Sequence, residues 1–319
     1  IETRLTPHGI AARSLISGEG AYISCIGADC EYGDDREGAL NGAWSGDEKL
    51  GFTGGAQGFA ALRTDMELNG GETKKLCILL GSGSGADTEA ACGQSIGDIE
   101  NKLGAIKAAW RERLGVIRIK TPDARLDTLM NGRLCYQTLA SRVLGKTGYY
   151  QCGGATGFRD QLQDMLALIY SEPMRVRRHI IECAAHQFIE GDVMHWWHEP
   201  NIGVRTHISD DRLFLPYVAD EYARITGDKA IWRERAAYVS GQGLGEAERD
   251  IYRAMDTADE SESIFMHCIR AIDSSLEYGA HGLPLMGGGD WNDGMDNVGR
   301  GGGESVWLGM FLYDVLMRF

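Results

Sequence analysis

The chain lacks features that would assign it to whole classes of protein. No basic block offsets its 46 acidic side chains, and the formal net charge of -14 argues against a nucleic acid or an anionic membrane surface as a partner. No run approaches the roughly 18 apolar residues of a membrane span, and no export signal opens the chain. We therefore predict a cytoplasmic globular protein, or a cytoplasmic domain of a larger one, without nucleic-acid or membrane contacts.

Paired cysteine spacings and the common catalytic templates are also absent. The eight cysteines are scattered, so we expect buried thiols in a reducing compartment rather than disulfides. There is no G-x-S-x-G elbow, no Walker loop and no dinucleotide-binding glycine motif. His195, His198 and Glu199 lie close together, but Pro200 follows at once and a second ligand motif is missing. We predict neither a metal ion nor an organic cofactor.

Residues 1–80 are predicted to form β-structure. Short apolar runs broken by glycine fill this part of the chain. The stretch Phe59–Leu80 has an apolar run on each side of the turn sequence Asn69–Glu72, which predicts a hairpin. The expected fold of this part is a portion of a β-sandwich.

Residues 81–122 are predicted to be a helical linker, and residues 123–319 to be helical throughout. Gly81–Ala86 (GSGSGA) is the expected flexible start of the linker, and Asp87–Leu114 has helical spacing. Polar loops between helices favour a toroid of paired helices over a compact bundle. The principal helices predicted after residue 123 are Arg159–Tyr170, Met174–Phe188, Asp210–Thr226, Ala230–Val239, Ser261–Tyr278 and Gly303–Phe319.

The segment 153–164 (GGATGFRDQLQD) passes from glycine-rich backbone into a helix. Arg159 and Asp160 begin this helix, where an aspartate is favoured by the helix dipole and can act as a cap. Arginine, two aspartates and two glutamines within six residues also supply the bidentate donors and acceptors that suit vicinal hydroxyl groups. A helix cap and a sugar-binding corner are equally compatible with this composition.

The segment 191–198 (GDVMHWWH) contains two adjacent tryptophans. Trp196 and Trp197 are compatible with core packing and equally with a platform, because the C–H faces of pyranose rings stack on indoles. The Ser-Asp-Asp sequence at 209–211 is predicted to cap the next helix.

The segment 287–295 (GGGDWNDGM) places Asp290 and Asp293 on either side of Trp291. One interpretation is a plain turn in which aspartate caps the backbone. The other is a substrate loop, in which glycines let a sugar approach and a carboxylic acid packs on the indole in a dry cavity. Such an acid has a raised pKa and stays protonated near neutral pH, which is the condition for protonating a departing glycosidic oxygen.

These three segments resemble glycoside hydrolase family 94, the inverting β-glycoside phosphorylases. They read YQCGGATGFRDQLQDMLAL, EGDVMHWWHEPNIGVRTHISDDRLFLPYVADEYARITGD and HGLPLMGGGDWNDGMDNVGRGGGESVWLG. The similarity spans most of residues 115–319 and is closer to the chitobiose phosphorylase and cyclic β-1,2-glucan synthase branch than to cellobiose phosphorylase. Residues 1–80 more loosely resemble the end of the N-terminal β-sandwich of these enzymes.

The resemblance implies a multidomain α and β protein: a partial N-terminal β-sandwich, a helical linker and an incomplete (α/α)6 barrel over residues 123–319. By the family pattern, Asp293 matches the general acid and Trp291 matches a residue of the substrate pocket. Arg159 and Asp160 match the pair that binds the non-reducing-end sugar. The His and Thr that hold phosphate in the family lie beyond the last residue of the chain. The resemblance also suggests a homodimer.

The implied activity is phosphorolysis of a β-linked gluco-oligosaccharide or disaccharide. Asp293 would protonate the glycosidic oxygen while inorganic phosphate, the co-substrate, attacks the anomeric carbon and yields an α-sugar 1-phosphate. A phosphorylase needs no base carboxylate, whereas an inverting hydrolase does. Two alternatives stay open: a glycoside hydrolase on the same barrel, and a non-catalytic glycan-binding or chain-length-control domain of a cyclic β-1,2-glucan synthase.

The chain begins and stops inside a pattern, so we expect a fragment of a longer protein that lacks activity alone. A toroid without its remaining helices would present apolar side chains to solvent. The face expected to be exposed on the last helix consists of Phe311, Leu312, Val315, Leu316 and Phe319.

Overall fold

The computed structural model contains two compact units, Ile1–Trp110 and Arg111–Phe319. The residues that the structure describes are 2–6, 9–15, 20–42, 59–83, 93–146, 153–199, 201–245, 248–299 and 302–319. Both helices and sheets are present, as the predicted mixed α and β class requires. None of the helices in these ranges is long and apolar enough to cross a membrane.

The first unit contains an antiparallel four-stranded sheet. Its strands, in their order across the sheet, are β1 (Glu2–Thr6), β2 (Gly9–Arg13), β3 (Gly20–Ile26) and β6 (Cys77–Gly83). The other elements that begin in this unit are β4 (Glu31–Gly33), α1 (Arg36–Asn41), β5 (Ala61–Arg63) and α2 (Ile96–Leu114). β4 and β5 pair with each other in a second small sheet.

The predicted hairpin is wrong, although its turn is present. The amide of Glu72 donates to the carbonyl of Asn69 over 2.9 Å, but β5 pairs with β4, and β6 pairs with β3. Residues 81–83, predicted to begin the linker, are the last residues of β6. Residues 84–86, the rest of that stretch, lie outside the described residues. Turn and glycine signals are local, whereas strand partners are chosen by residues far along the chain.

The second unit carries most of the helices. They are α3 (Ala124–Thr128), α4 (Leu134–Gln137), α5 (Phe158–Leu166), α6 (Pro173–Ala184), α7 (Phe214–Thr226), α8 (Ile264–Asp273), α9 (Asp296–Gly299) and α10 (Val306–Arg318). π-helical turns at Leu129–Arg133 and Thr138–Leu144 follow α3 and α4. The 3.6-residue period explains the buried faces of α5 and α6, because their fully buried residues recur three or four positions apart. These residues are Phe158, Leu162, Met165, Val176, Ile180 and Cys183.

Two antiparallel sheets complete the second unit. Across the first, the order is β11 (Asp250–Ala254), β9 (Ile202–Thr206), β8 (Met194–His198) and β7 (Thr156–Gly157). β10 (Arg235–Ser240) pairs with β12 (Asp256–Ser263) in the second. β7 leads directly into α5, β8 pairs with β7, and β9 pairs with β8. This sheet therefore brings the first two of the three segments together.

Two of the predicted helices contain strand residues. Ala230–Val239 is wrong as a helix: a 3-10 turn covers Lys229–Arg233 and β10 follows. Ser261–Tyr278 begins with the end of β12 and is α-helical only from Ile264 to Asp273. Pairing between β10 and β12 overrides the local helical spacing. Tyr238 in β10 is fully buried, and its hydroxyl donates to Glu262 of β12 over 2.7 Å.

The last helix, α10, buries the side that was expected to be exposed. Leu312 and Val315 are buried in a cluster with Leu213, and Phe311 and Phe319 pack against it. Of the predicted face, Leu316 is among the exposed large apolar residues. The side of α10 that does face solvent contains Val306, Trp307, Met310, Tyr313 and Met317.

Candidate active site

Arg159 is the centre of a buried charge cluster. It lies in the first turn of α5, and only 5% of it is exposed. Its Nη1 donates to Asp210 Oδ1 over 2.8 Å and to the backbone oxygen of Asp290 over 2.9 Å. Its Nη2 donates to Asp293 Oδ1 over 2.5 Å. The cluster therefore joins all three sequence segments through one guanidinium group.

The carboxylates around Arg159 outnumber the positive charges. Asp211 lies 3.6 Å from Arg159 Nε, and Asp160 lies 3.9 Å from the same atom. Burial, followed by repulsion from Asp211, raises the pKa of Asp210 to about 8, although Arg159 opposes the shift. Burial also works against the charge of Arg159, but the carboxylates of Asp211 and Asp210 raise its pKa above the usual value. The folded state therefore favours the protonated form of Asp210 more than the unfolded chain does.

The two aspartates of the DWND sequence have different environments. Asp290 is buried: its Oδ1 accepts from the amide of Asn292 over 2.9 Å, and its Oδ2 accepts from Ser305 Oγ over 2.6 Å. Asp290 therefore stabilises the loop through these hydrogen bonds, as the plain-turn interpretation predicts. The Asp293 side chain is 53% exposed and is paired with Arg159. The sequence had instead predicted a carboxyl group that is shielded from solvent and packs on an indole.

Close packing of backbone explains part of the glycine content of this loop. A Cβ at Gly287 would overlap the carbonyl oxygen of His207, and the φ angle of Gly287 is +62°. A Cβ at Gly299 would overlap the carbonyl oxygen of Gly287. At these two positions glycine is needed because another part of the chain's own backbone lies close by. The sequence had suggested that a substrate would approach there.

We expect the substitution Gly287→Ala to lower the free energy of unfolding by about 1–3 kcal/mol, because it combines a positive φ with a steric overlap. The matched control is Gly294→Ala in the same loop, where an added Cβ meets nothing within 4 Å. Urea unfolding of both variants checks the prediction. Equal stabilities for Gly287→Ala and Gly294→Ala would contradict it.

His195 connects Asp211 to Asp293. It lies in β8, and its Nδ1 is 2.7 Å from Asp211 Oδ2 while its Nε2 is 3.9 Å from Asp293 Oδ2. Burial lowers the pKa of His195, but the carboxylates of Asp211 and Asp293 together raise it, and the net pKa lies above the usual value. The expected capping role of the 209–211 sequence is wrong for its two aspartates. Asp210 pairs with Arg159 and Asp211 pairs with His195.

Of the two adjacent tryptophans, one packs in the core and the other lines a cavity. Trp197 is fully buried and stacks on His186 with a centroid separation of 3.8 Å, which makes it core. Trp196 lines a cavity and contacts Tyr252 at 5.4 Å between ring centroids. Alternation along β8 explains the division, because successive side chains of a strand point to opposite faces.

A cavity of about 430 Å³ opens beside the charge cluster. Three of the four predicted site residues line it, namely Arg159, Asp160 and Asp293. Trp291 is outside this lining, and its half-exposed indole lies 5.9 Å from the Arg159 guanidinium carbon. A second cavity of the same volume contains none of the four. The first cavity also includes Gln161, His195 and Trp196 in its wall.

A comparison with protein families assigns the residues that form this site to a known family. Residues 109–319 match the family described as the Glycosyl hydrolase 94 superfamily, catalytic domain. The chain belongs to this family. All residues of the charge cluster and of the cavity beside it lie inside the matched range. The resemblance that was drawn from the three segments is therefore confirmed.

Relatives of this family 94 chain include a synthase and several phosphorylases. It is 41% identical over 265 residues to the cyclic beta-(1,2)-glucan synthase NdvB of Rhizobium meliloti. It is 26% identical over 290 residues to the N,N'-diacetylchitobiose phosphorylase of Vibrio proteolyticus. It is 28% identical over 265 residues to the solabiose phosphorylase of Paenibacillus borealis. These alignments cover 82%, 81% and 80% of the chain but only 9%, 34% and 30% of the three relatives.

Sequence reasoning did not identify His195, Asp210 and Asp211 as members of this family 94 site. Asp210 and Asp211 are almost fully buried, at 0% and 1% exposed. A signal for them exists in the sequence: two adjacent aspartates lie one residue before the apolar residues Leu213, Phe214 and Leu215. Charged residues that enter the core need partners, so such a pair indicates a buried cation nearby.

Proposed function

We propose that the chain carries the acid and the sugar-binding groups of an inverting β-glycoside phosphorylase, with Asp293 as the general acid. The observation that carries the proposal is the meeting of Asp293 and Arg159 at one cavity wall, with 2.5 Å between carboxylate and guanidinium. A general acid must lie close to the group that positions the scissile bond, and the contact between Asp293 and Arg159 supports this assignment.

Arg159 and Asp160 are assigned to the ring hydroxyls of the sugar. Arg159 is held by Asp210 and by the Asp290 carbonyl, so its guanidinium has little freedom to move. Asp160 is 40% exposed at the cavity and can accept hydrogen bonds from vicinal hydroxyls. Trp291 is assigned to the substrate pocket, where an exposed indole beside Arg159 offers a face for a pyranose. Hydrogen bonds that become stronger as the sugar ring distorts towards the transition state contribute most to the rate of the reaction.

The proposed reaction needs a proton donor and an anionic nucleophile. Asp293 Oδ1 is occupied by Arg159, which leaves Oδ2 as the oxygen that carries the proton. That proton passes to the glycosidic oxygen while inorganic phosphate attacks the anomeric carbon from the opposite face. The products are an α-sugar 1-phosphate and a shortened acceptor. Phosphate is already an anion, so this reaction requires no base carboxylate.

The proposed architecture follows the family resemblance. Residues 1–80, together with residues 81–83 that complete β6, are assigned to the end of a β-sandwich. The rest of residues 81–122 is assigned to a helical linker, and residues 123–319 to part of an (α/α)6 barrel. The antiparallel sheet of the first unit supports the first assignment. The succession of α5, α6, α7, α8 and α10 supports the last.

Hydrolysis is the second candidate, because the cavity contains another carboxylate. An inverting hydrolase needs a base that activates water opposite the acid, and Asp160 lines the same cavity as Asp293. We rank it below phosphorolysis because several relatives are named as phosphorylases.

The deciding experiment measures sugar release with and without inorganic phosphate. The relatives' names set the substrates: β-1,2-linked gluco-oligosaccharides first, with N,N'-diacetylchitobiose as the alternative. We expect the whole protein to release an α-sugar 1-phosphate only when phosphate is present. Release in water alone would instead support the hydrolase. Binding without turnover in either condition would support a glycan-binding or chain-length-control domain.

A further inference from the structure

The two oxygens of the Asp293 carboxylate have different neighbours. Oδ1 accepts the hydrogen bond from Arg159 Nη2, whereas Oδ2 lies 3.9 Å from His195 Nε2. A separation of 3.9 Å is longer than a hydrogen bond, but catalytic contacts in a site without substrate are commonly long and shorten when the complex forms. Oδ2 is also the oxygen that the proposed reaction requires to be protonated. His195 is therefore close to the atom whose proton is consumed in each turnover.

Asp211 determines which nitrogen of His195 can transfer a proton. The Nδ1 of His195 donates to Asp211 Oδ2 over 2.7 Å, and the Asp211 side chain is only 1% exposed. A buried carboxylate on one ring nitrogen fixes the ring orientation and keeps the proton on that nitrogen. The nitrogen that gains and loses a proton is then Nε2, which faces Asp293.

The surrounding charges favour the protonated form of His195. Asp211 and Asp210 approach from the start of a 3-10 turn that covers Asp211–Leu213. Asp293 approaches from the DWND loop, and Arg159 and Asp160 approach from the start of α5. Four of these five groups are carboxyls. Burial lowers the pKa of His195, and Arg159 lowers it further, but the carboxylates of Asp211 and Asp293 more than compensate. An imidazolium with a proton on Nε2 therefore persists above the pH at which a free histidine loses its charge.

We propose that His195 returns a proton to Asp293 in each catalytic cycle and that Asp211 positions His195 for this transfer. The inference rests on the proposed role of Asp293 as general acid. In the step, the Nε2–H bond of the imidazolium breaks and its electron pair stays on the ring. An O–H bond forms at Asp293 Oδ2, so an imidazolium and a carboxylate become a neutral imidazole and a carboxylic acid.

His195 can itself be recharged from solvent. Its side chain is 18% exposed and lines the cavity beside Trp196. A water molecule at the cavity mouth can protonate Nε2 between turnovers. The imidazolium then lies beside Asp293, with 3.9 Å between Nε2 and Oδ2, and can supply the proton directly.

The first test replaces the titrating ring. In the whole protein, His195→Gln keeps a polar amide at this position but has no group that titrates. We expect kcat for phosphorolysis of a β-1,2-linked gluco-oligosaccharide to fall by at least roughly ten-fold, with KM nearly unchanged. We also expect the basic limb of the kcat–pH profile that His195 produces to disappear. A thermal unfolding midpoint close to that of the parent protein verifies the fold.

The second test uses a leaving group that needs no proton. β-Glucosyl fluoride with phosphate should react at similar kcat in the parent protein and in His195→Gln, because departing fluoride does not depend on Asp293. Asp211→Asn should retain more activity than His195→Gln, with the basic limb moved to lower pH because a carboxylate that raises the pKa of His195 is gone. A purely structural role of Asp211 would leave the limb where it is.

The outcomes separate this inference from the proposed function. If Asp293→Asn abolishes oligosaccharide phosphorolysis while His195→Gln keeps the parent kcat and pH profile, the transfer role of His195 is wrong and the phosphorylase assignment stands. If His195→Gln raises KM for both substrates without changing the pH profile, His195 binds the sugar instead. If Asp293→Asn retains phosphorolysis, the proposed general acid itself is wrong.

Discussion

Asp293→Asn is expected to lower kcat for oligosaccharide phosphorolysis by roughly 10²–10⁴-fold, the usual contribution of a general acid. Asparagine is nearly isosteric, and its side-chain oxygen can still accept from Arg159 at the position of Asp293 Oδ1. The amide has no proton to give to the glycosidic oxygen. KM should therefore change little, and the loss should appear in kcat.

The leaving group provides the control for Asp293→Asn. With β-glucosyl fluoride and phosphate, the variant should keep most of the parent rate, since fluoride leaves without protonation. Asp290→Asn tests the other aspartate of the loop, whose Oδ2 accepts from Ser305 Oγ. We expect that substitution to reduce stability by loosening the loop rather than to remove the proton donor. Unchanged oligosaccharide phosphorolysis in Asp293→Asn would exclude it as the acid.

Arg159→Met is expected to cost about 3–5 kcal/mol of unfolding free energy at pH values above about 8, where it leaves buried carboxylates without their cation, and less at lower pH. Asp210 and Asp211 are 0% and 1% exposed and have no access to water as a substitute. The loss should depend on pH. The pKa of Asp210 is already raised to about 8 in the parent protein, so the folded state binds a proton there.

The direction of this pH dependence follows from proton binding. Below about pH 8, Asp210 is neutral in the folded protein and does not need Arg159 to balance a charge. Arg159 lowers the pKa of Asp210, so in Arg159→Met this carboxyl gives up its proton only at still higher pH, whereas in the parent the ionised form is stabilised by Arg159. The unfolding free energy of Arg159→Met, relative to that of the parent, should therefore fall as the pH rises above this value. In the unfolded chain Asp210 has already lost its proton at much lower pH in both proteins, so the unfolded state does not contribute to this difference. Urea unfolding on both sides of the transition measures the difference.

Arg205→Met is the matched control for Arg159→Met. Arg205 is 3% exposed, donates to Asp192 through two nitrogens over 2.6 Å each, and packs on Phe188. Its partner carboxylates keep access to solvent, with side-chain exposures of 18% for Asp192 and 59% for Glu190. We expect a smaller loss of stability and no rise with pH through the range of Asp210. An equal pH-dependent loss in both variants would contradict the role of the Asp210 proton.

The helices and their boundaries were predictable where the signal is local. α6 begins at Pro173, close to the predicted start, and α7 ends before Gly227, whose φ of +75° suits glycine. Strand pairing was not predictable. β12 has the sequence DTADESES, which lacks the apolar alternation typical of a strand, and it exists because β10 pairs with it. Its register is a property of the assembled unit.

The site was predictable as three segments but not as one cluster. Arg159, Asp160 and Asp293 were chosen for their residue types and their family match, and all three line one cavity. The roles of Asp210 and Asp211 were assigned to helix capping, because a Ser-Asp-Asp sequence before apolar residues matches that local pattern. Their actual partners are side chains from other elements, which no local pattern specifies.

By itself, the sequence determined the chemistry that is available to this protein: the family, the helical spacing, and the acidic, glycine-rich loop that contains Asp293. Only the tertiary structure decided that Arg159 would reach Asp293 across 134 residues of chain and that His195 would lie between two carboxylates. The reason is physical. Periodicity, caps and turns are set by residues a few positions apart, whereas a buried ion cluster forms only when the core encloses its members and removes water from them.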